Sequence, residues 1–381
     1  MPITIRTRDE HFRPDGPKRI LTLDGGGVRG ILTLGYLQRM EAMLRDRFGG
    51  EESFRLAHYF DLIAGTSTGA IIAAALAKGL TVAEITTYYE RLGQEIFGEK
   101  NWFSRVLRDK YDKTKLEALL KQVLGEKTTI GGKELLTGLL VVTKRTDTGS
   151  PWPLGNNPSG KYFTAPPGAS WHPNSEYPLW QVVRASTAAP TYFEPEYITI
   201  GSEQPGRFVD GGVSPHNNPS LQALMYATLG GYGVNWPTGE DRLMIVSIGT
   251  GAGRPDISAS DISALQGVYA LTGLMTDAAA LVELLMQWMS NSPTARRIDG
   301  EVGTLTGDLL GGAPQFHYLR YNVELTEEGL TSILPNIPAE RLKTLAEMDV
   351  TVNIPMLKSI GEHAAANDIN PGHFPPGFDP K

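Results

Sequence analysis

A short apolar run that stops at a glycine-rich polar turn and resumes with helical spacing occurs twice in the first eighty residues. That unit restricts the folds open to the chain. Arg19-Ile20-Leu21-Thr22-Leu23 reads as a buried strand broken by Asp24-Gly25-Gly26-Gly27, after which Ile31, Leu34, Leu37, Met40 and Leu44 share one helical face. The unit returns as Tyr59–Ala64, the turn Gly65-Thr66-Ser67-Thr68-Gly69, and an apolar helix over Ile71–Lys78. Further strands are expected at 139–142, 207–209 and 243–248, with helices at 113–124 and 181–189 and a capping box at Thr81–Glu84. Strands alternating with helices imply an α/β fold with a mainly parallel sheet covered on both faces. Ligands of such sheets sit beyond the carboxyl ends of the strands. The polar turns at 24–30, 65–69 and 210–212 all fall there.

Composition narrows the chemistry. The 381 residues contain no cysteine, which excludes disulfides, zinc–thiolate sites and thiol nucleophiles and fits a reducing compartment. The net charge of −7, with no basic run, argues against a nucleic-acid polymer as partner. Contact with a lipid surface must then rest on apolar groups. No secretory signal is visible at the N-terminus, and the most apolar stretch, 268–289, carries Asp277 and Glu283, so it does not read as a membrane span. The expected location is cytoplasmic, at most peripheral at the inner face of the membrane. The expected organisation is a polar lead-in over 1–17, a catalytic core over 18–255, a helical extension over 256–369 that packs on or completes it, and an irregular proline-rich tail over 370–381.

Gly65-Thr66-Ser67-Thr68-Gly69 has the G-x-S-x-G form of a nucleophile elbow. A strand-to-helix elbow cramps the serine backbone, and only glycine two residues either side avoids a clash. In a chain with 43 glycines the bare pattern is weak, and a serine that merely caps a helix is the plain alternative. Its place between strand and helix is what favours a nucleophile. Gly25 to Gly30 also satisfies G-x-G-x-x-G, but Asp46, at the spacing of a ribose-binding acid, lies inside the first long helix rather than after a second strand. The glycine turn has a better use as an oxyanion site, with the amides of Gly26 and Gly27 as donors and Arg29 bracing the loop or serving a surface or structural ion pair.

A serine nucleophile needs a proton acceptor. None of the seven histidines sits in a glycine-framed turn after a clear strand; His216 is the one near a motif. Asp210-Gly211-Gly212 does sit there, so a Ser67–Asp210 dyad is the economical reading, with Asp210 expected to face inward. The rival is a Ser–Asp–His esterase using His317, which Phe316-His317-Tyr318-Leu319 would bury in a strand. A non-catalytic lipid- or nucleotide-binding module is the alternative of another class.

The blocks 24–30, 65–69 and 210–212, in that order, resemble the three signature blocks of the patatin-like phospholipases, and Arg184–Pro190 and Asn217-Asn218-Pro219 also look familial. The resemblance covers roughly residues 17–255. It implies a three-layer α/β/α fold and hydrolysis of phospholipid or lysophospholipid esters by a Ser–Asp dyad without cofactor or metal. Carried over, Ser67 is the nucleophile, Asp210 the base, Gly25, Gly26, Gly27, Arg29 and Gly30 the oxyanion loop, Gly65 and Gly69 the elbow, and Gly211 and Gly212 its counterpart at the base. Thr148–Pro153 and the stretch after Gly251 resemble bacterial members, some of which are defence effectors switched on by a cyclic nucleotide. No residue for such an activator can be picked out. The apolar segment Leu265–Met289 is expected to be a core helix, with a lid or a homo-oligomer contact as alternatives; Trp152, Trp171 and Trp236 read as structural anchors before membrane anchors.

Overall fold

The computed structural model describes residues 3–93, 113–190, 192–201, 205–253, 263–334 and 337–380. Among the described residues nine strands form one sheet: β1 (Lys18–Leu23), β2 (Leu62–Thr66), β3 (Gly138–Arg145), β4 (Pro151–Gly155), β5 (Glu196–Thr199), β6 (Pro205–Asp210), β7 (Leu243–Ile248), β8 (Ser290–Asn291) and β9 (Phe316–Tyr321). The helices are α1 (Arg8–Phe12), α2 (Gly30–Arg47), α3 (Leu56–Tyr59), α4 (Thr68–Ala77), α5 (Val82–Leu92), α6 (Lys113–Leu124) and α7 (Leu179–Ser186). They continue with α8 (Ser220–Thr228), α9 (Ser263–Trp288), α10 (Glu327–Thr331), α11 (Ala339–Leu345) and α12 (Ile354–Asp368).

Neighbours in the order β3-β2-β1-β7-β9-β8 run parallel, while β4 and β6 pair antiparallel with β3, and β5 with β6. Successive strand residues point to opposite faces, and the two faces bury separate cores. Leu21, Leu23, Ile63, Val141, Val246 and Leu319 pack under α2, α4, α5, α7 and α12. Ile20, Leu62, Ala64, Ile245 and Tyr318 pack under α8 and the buried Val282 and Met286 of α9. The result is a three-layer α/β/α fold.

The pairing along β3 brings two distant polar turns to the same level. At Leu140–Val142 it pairs with both β2 and β4, which must therefore lie on opposite edges; at Thr143–Lys144 it pairs with both β4 and β6. Strand β6 thus takes over the edge of β3 where β2 leaves it. Thr66 is level with Val142, and Asp210 with the next residue, Thr143.

Several expectations change. The strand anticipated over 59–64 begins at Leu62, because Leu56–Tyr59 forms a helical turn first. Part of the loop expected over 146–178 is β4, despite Pro151 and Pro153; an edge strand tolerates residues without an N–H. The tail is not a loose end. It forms two 3₁₀ turns, Pro371–His373 and Pro376–Phe378, and buries Phe374 and Phe378. Residues 1–17 include the short α1, whose His11 and Phe12 are buried. Within 256–369, β8 and β9 join the central sheet and α12 packs along α2.

At the amino ends of the parallel strands Asp61 is fully buried among cations. It accepts from Arg19 Nη2 at 2.6 Å, Arg19 Nε at 2.8 Å and His11 Nδ1 at 2.9 Å, with Arg6 Nη2 at 2.9 Å. Burial alone would raise its pKa, but Arg19, His11 and Arg6 hold the carboxyl well below the usual carboxylate range. A depressed carboxyl contributes stability above its unfolded pKa of about 3.9, and that stability is lost as pH falls below it. Asp61→Asn leaves buried cations uncompensated and should cost about 3–5 kcal/mol in urea denaturation at pH 7. The gap from wild type should narrow below about pH 4; a constant gap across pH would show that the charge is not what matters.

Candidate active site

Ser67 is the residue at which β2 ends and α4 begins. Its backbone has φ 54°, a left-handed value that a side chain other than glycine adopts only under strain. The two elbow glycines make the turn possible. A Cβ on Gly65 would collide with the carbonyl of Gly69, and one on Gly69 with the carbonyl of Leu23. The turn is also held from outside, since Ser67 N–H donates to Ser186 Oγ at 2.9 Å and Ser186 Oγ donates to the Val142 carbonyl at 2.6 Å. Ser186 belongs to the Arg184–Pro190 stretch, whose resemblance to the family carried no role for it.

Ser67 Oγ donates to Asp210 Oδ2 at 2.6 Å. The other carboxylate oxygen, Oδ1, accepts from Gly212 N–H at 2.7 Å, so the turn after β6 fixes the carboxylate from its own backbone. Asp210 is 4% exposed and Ser67 is only partly buried, leaving the hydroxyl accessible. Burial pushes the Asp210 carboxyl up to about 6, against the opposing pull of the Ser67 hydrogen bond, the Gly212 amide and the Arg184 charge. A carboxylate tuned this way is a better base than an exposed one.

The glycine turn lies against the same serine. A Cβ on Gly25 would stand 3.1 Å from Ser67 Cβ. Its members have distinct tasks. Gly25 N–H donates to the Asn217 carbonyl at 3.1 Å, and Gly26 N–H to Thr68 Oγ1 at 3.2 Å. Gly30 N–H is taken up by the carbonyls of Gly27 and Val28 as α2 begins. Among the described residues no hydrogen bond uses the N–H of Gly27 or of Thr68, the residue after Ser67. Arg29 turns away from the serine; its buried guanidinium donates to the Gly26 carbonyl at 3.4 Å and the Ala346 carbonyl at 3.1 Å. It braces the loop rather than forming a surface ion pair. Burial lowers its pKa to about 10, which leaves it charged at neutral pH.

The histidine rival does not fit this geometry. His317 is level with Met244, and through it with Arg19, near the amino ends of strands whose carboxyl ends carry the site. Four residues separate that level from Leu23, roughly 13 Å at the rise of a parallel strand. Its Nε2 bonds to the His373 carbonyl at 2.9 Å. His216 contributes its backbone carbonyl to Thr66 Oγ1 at 2.7 Å, and among the described residues no histidine side chain bonds to Ser67 or Asp210. Gly211 and Gly212 open the 3₁₀ turn immediately after Asp210.

Helix α9 approaches from the other side. A Cβ on Gly212 would stand 2.9 Å from Met275 Cε, so the methionine side chain roofs the turn beside the dyad. Leu274 and Leu281 of the same helix are exposed, at 66% and 57%. Helix α9 is therefore neither wholly a core helix nor wholly a surface one; the side chains of Leu265, Val268 and Leu271 lie outside the described residues. Trp236 is a buried anchor donating to the Phe12 carbonyl, and Trp152 packs edge-on against Phe208. No helix among the described residues is long and apolar enough to cross a membrane.

Known proteins resemble the chain. A cGAMP-activated phospholipase of Vibrio cholerae is 29% identical over 267 residues, covering 67% of this chain and 70% of its own. A cUMP-AMP-activated phospholipase of Escherichia coli is 33% identical over 55% of this chain and 59% of its own, and Patatin-17 of Solanum cardiophyllum 30% identical over 55% and 53%. The match thus spans little more than half the length of the last two. The sequence model of the patatin-like phospholipase family matches residues 21–224, which hold the glycine turn, Ser67 and Asp210 alike, and the chain belongs to that family.

Proposed function

We propose that the protein hydrolyses carboxylic esters of membrane phospholipids or lysophospholipids, with Ser67 as nucleophile and Asp210 as the sole general base. The observation that carries the reading is the 2.6 Å hydrogen bond from an elbow serine to a buried carboxylate. In the first half-reaction Asp210 takes the hydroxyl proton while Ser67 Oγ bonds to the ester carbon, whose carbonyl electrons move onto oxygen. Gly27 N–H is an available donor for that oxyanion at the head of the glycine turn. Gly26 N–H, in a long bond to a neutral hydroxyl, can exchange Thr68 for the stronger acceptor. Collapse expels the alcohol, which leaves with the proton from Asp210. Water then attacks the acyl-enzyme, giving a proton to Asp210; as the bond to Ser67 Oγ breaks, Asp210 returns that proton to the serine and the fatty acid departs.

The match to cGAMP- and cUMP-AMP-activated phospholipases supports a cyclic nucleotide as activator, and with it a role as a defence effector that degrades membrane lipid. The exposed Leu274 and Leu281, on the helix whose Met275 covers the Gly212 turn, support a transient contact with lipid through apolar side chains in an acidic chain.

Two measurements test this reading. On mixed phospholipid vesicles, with and without cGAMP or cUMP-AMP, wild type should release free fatty acid and Ser67→Ala none; equal release by both proteins removes Ser67 from the chemistry. The dyad also sets the pH profile. Only ionised Asp210 accepts a proton, so kcat/KM should rise as pH climbs through about 6 and then level off. Asp210→Asn should cut kcat by about 10²–10⁴-fold, and retained activity would eliminate Asp210 as base.

A further inference from the structure

Asp24 opens the glycine turn and makes no hydrogen bond to Ser67 or Asp210, yet it is 4% exposed and tightly held. Its carboxylate is gripped from two strands away. Arg320 on β9 donates through Nη1 to Asp24 Oδ1 at 3.0 Å and through Nη2 to Asp24 Oδ2 at 2.7 Å. A two-point grip by a planar guanidinium fixes direction as well as distance, which a single ammonium cannot do. Between them lies β7, where Ser247 is level with both Thr22 and Arg320.

The same guanidinium has a second branch. Arg320 Nη1 donates to Ser247 Oγ at 2.8 Å, Ser247 Oγ lies 2.9 Å from Ser220 Oγ, and Ser220 Oγ donates to Asn218 Oδ1 at 2.6 Å. Asn218 ends the turn beyond the base, and its neighbour Asn217 reaches back to the Gly25 carbonyl through Nδ2 at 3.3 Å. Oxyanion turn and base turn are therefore fastened to one buried cation. A third contact ties in the roof, since Glu283 Oε2 of α9 lies 3.4 Å from Arg320 Nε and its other oxygen accepts from Arg296.

We propose that Arg320 is a positioning residue for ester cleavage: through Asp24 it aims the amides of the glycine turn at the nucleophile, and through Ser247 and Ser220 it sets the turn behind the base. This rests on the dyad mechanism above. Arg320 touches neither reacting atom, so its removal should slow the chemical step while leaving substrate binding and the ionisation of Asp210 in place.

The test uses a soluble short-chain nitrophenyl ester, so that no lipid surface enters the measurement. Arg320→Lys keeps the charge and loses the two-point grip; Asp24→Asn keeps the shape and loses the charge. Each should lower kcat by about ten- to hundredfold, the scale of a small misplacement of reacting groups. KM should stay within about threefold, because ester binding does not use this link. The acid limb should keep its midpoint near 6. The double variant should be no worse than the poorer single one, since both break the same link. Folded fraction is followed by near-ultraviolet circular dichroism on each protein. Wild-type kcat in folded Arg320→Lys and Asp24→Asn would overturn the proposal, as would a loss of kcat that merely tracks the loss of folded protein. Ser67→Ala supplies the blank. Activity surviving in that blank refutes the dyad itself, whereas full Ser67 dependence with Arg320→Lys equal to wild type refutes only the link.

Discussion

One edge of one strand governs the geometry of this protein. The edge of β3 is occupied by parallel β2 up to Thr66 and by antiparallel β6 from Asp210 onward, in consecutive register. Two strands approaching head-on along a shared edge cannot both continue. The one arriving from the amino side turns away at Ser67, and the other turns away after Asp210. Their end residues, 143 positions apart in the chain, are thus left facing one another at hydrogen-bonding distance. A wholly parallel sheet would send every strand end to the same side and would not bring two of them together in this manner. The antiparallel entry of β6 is therefore what brings Asp210 to Ser67.

That arrangement is costly to hold, and the surroundings are built to hold it. A non-glycine residue in a strained backbone region costs about 1–3 kcal/mol. Ser67 stays there because Gly65 and Gly69 close up beneath it and Ser186 fixes its amide. A buried carboxylate is unfavourable as well, which is why its pKa rises; the Gly212 amide and the Ser67 hydroxyl offset part of that. Asp61 makes the contrast. It is equally buried but surrounded by cations, and its carboxyl is held low instead of high. Burial penalises both acids, and the amount of nearby positive charge decides whether the carboxyl is held low or pushed up.

The parts legible in the sequence are those whose signal is local. Strand–turn–helix units, the Thr81 capping box and helix α6 all arise from spacing within a dozen residues. So do the polar turns at the strand ends, including the glycine spacing around Ser67. What spacing could not reveal depends on distant partners. Strand β4 hides behind two prolines, because a sequence does not say which strand is an edge. The tail looks polar and proline-rich, yet Arg19 Nη1 donates to the Phe378 carbonyl at 2.9 Å and Arg47 pairs with Asp379. Arg320 is the extreme case, a single cation in an apolar strand whose partner lies 296 positions earlier. Its one local hint is a charged residue in a strand that is otherwise buried throughout.

Helix α9 shows how these constraints join. One of its faces must bury Val282 and Met286 against the sheet, which sets the rotation of the helix about its axis. With that rotation fixed, Glu283 falls beside Arg320 and Met275 falls over Gly212, one tied to the network behind the glycine turn at 24–30 and the other covering the turn after Asp210. Leu274 and Leu281 are a helical repeat apart and come to lie outward together. An element packed this way cannot shift along the sheet without disturbing a buried charge, because Glu283 would be drawn from the guanidinium it helps to neutralise. The helix that covers the Gly212 turn is thereby mechanically joined, through Arg320 and Asp24, to the glycine turn at 24–30.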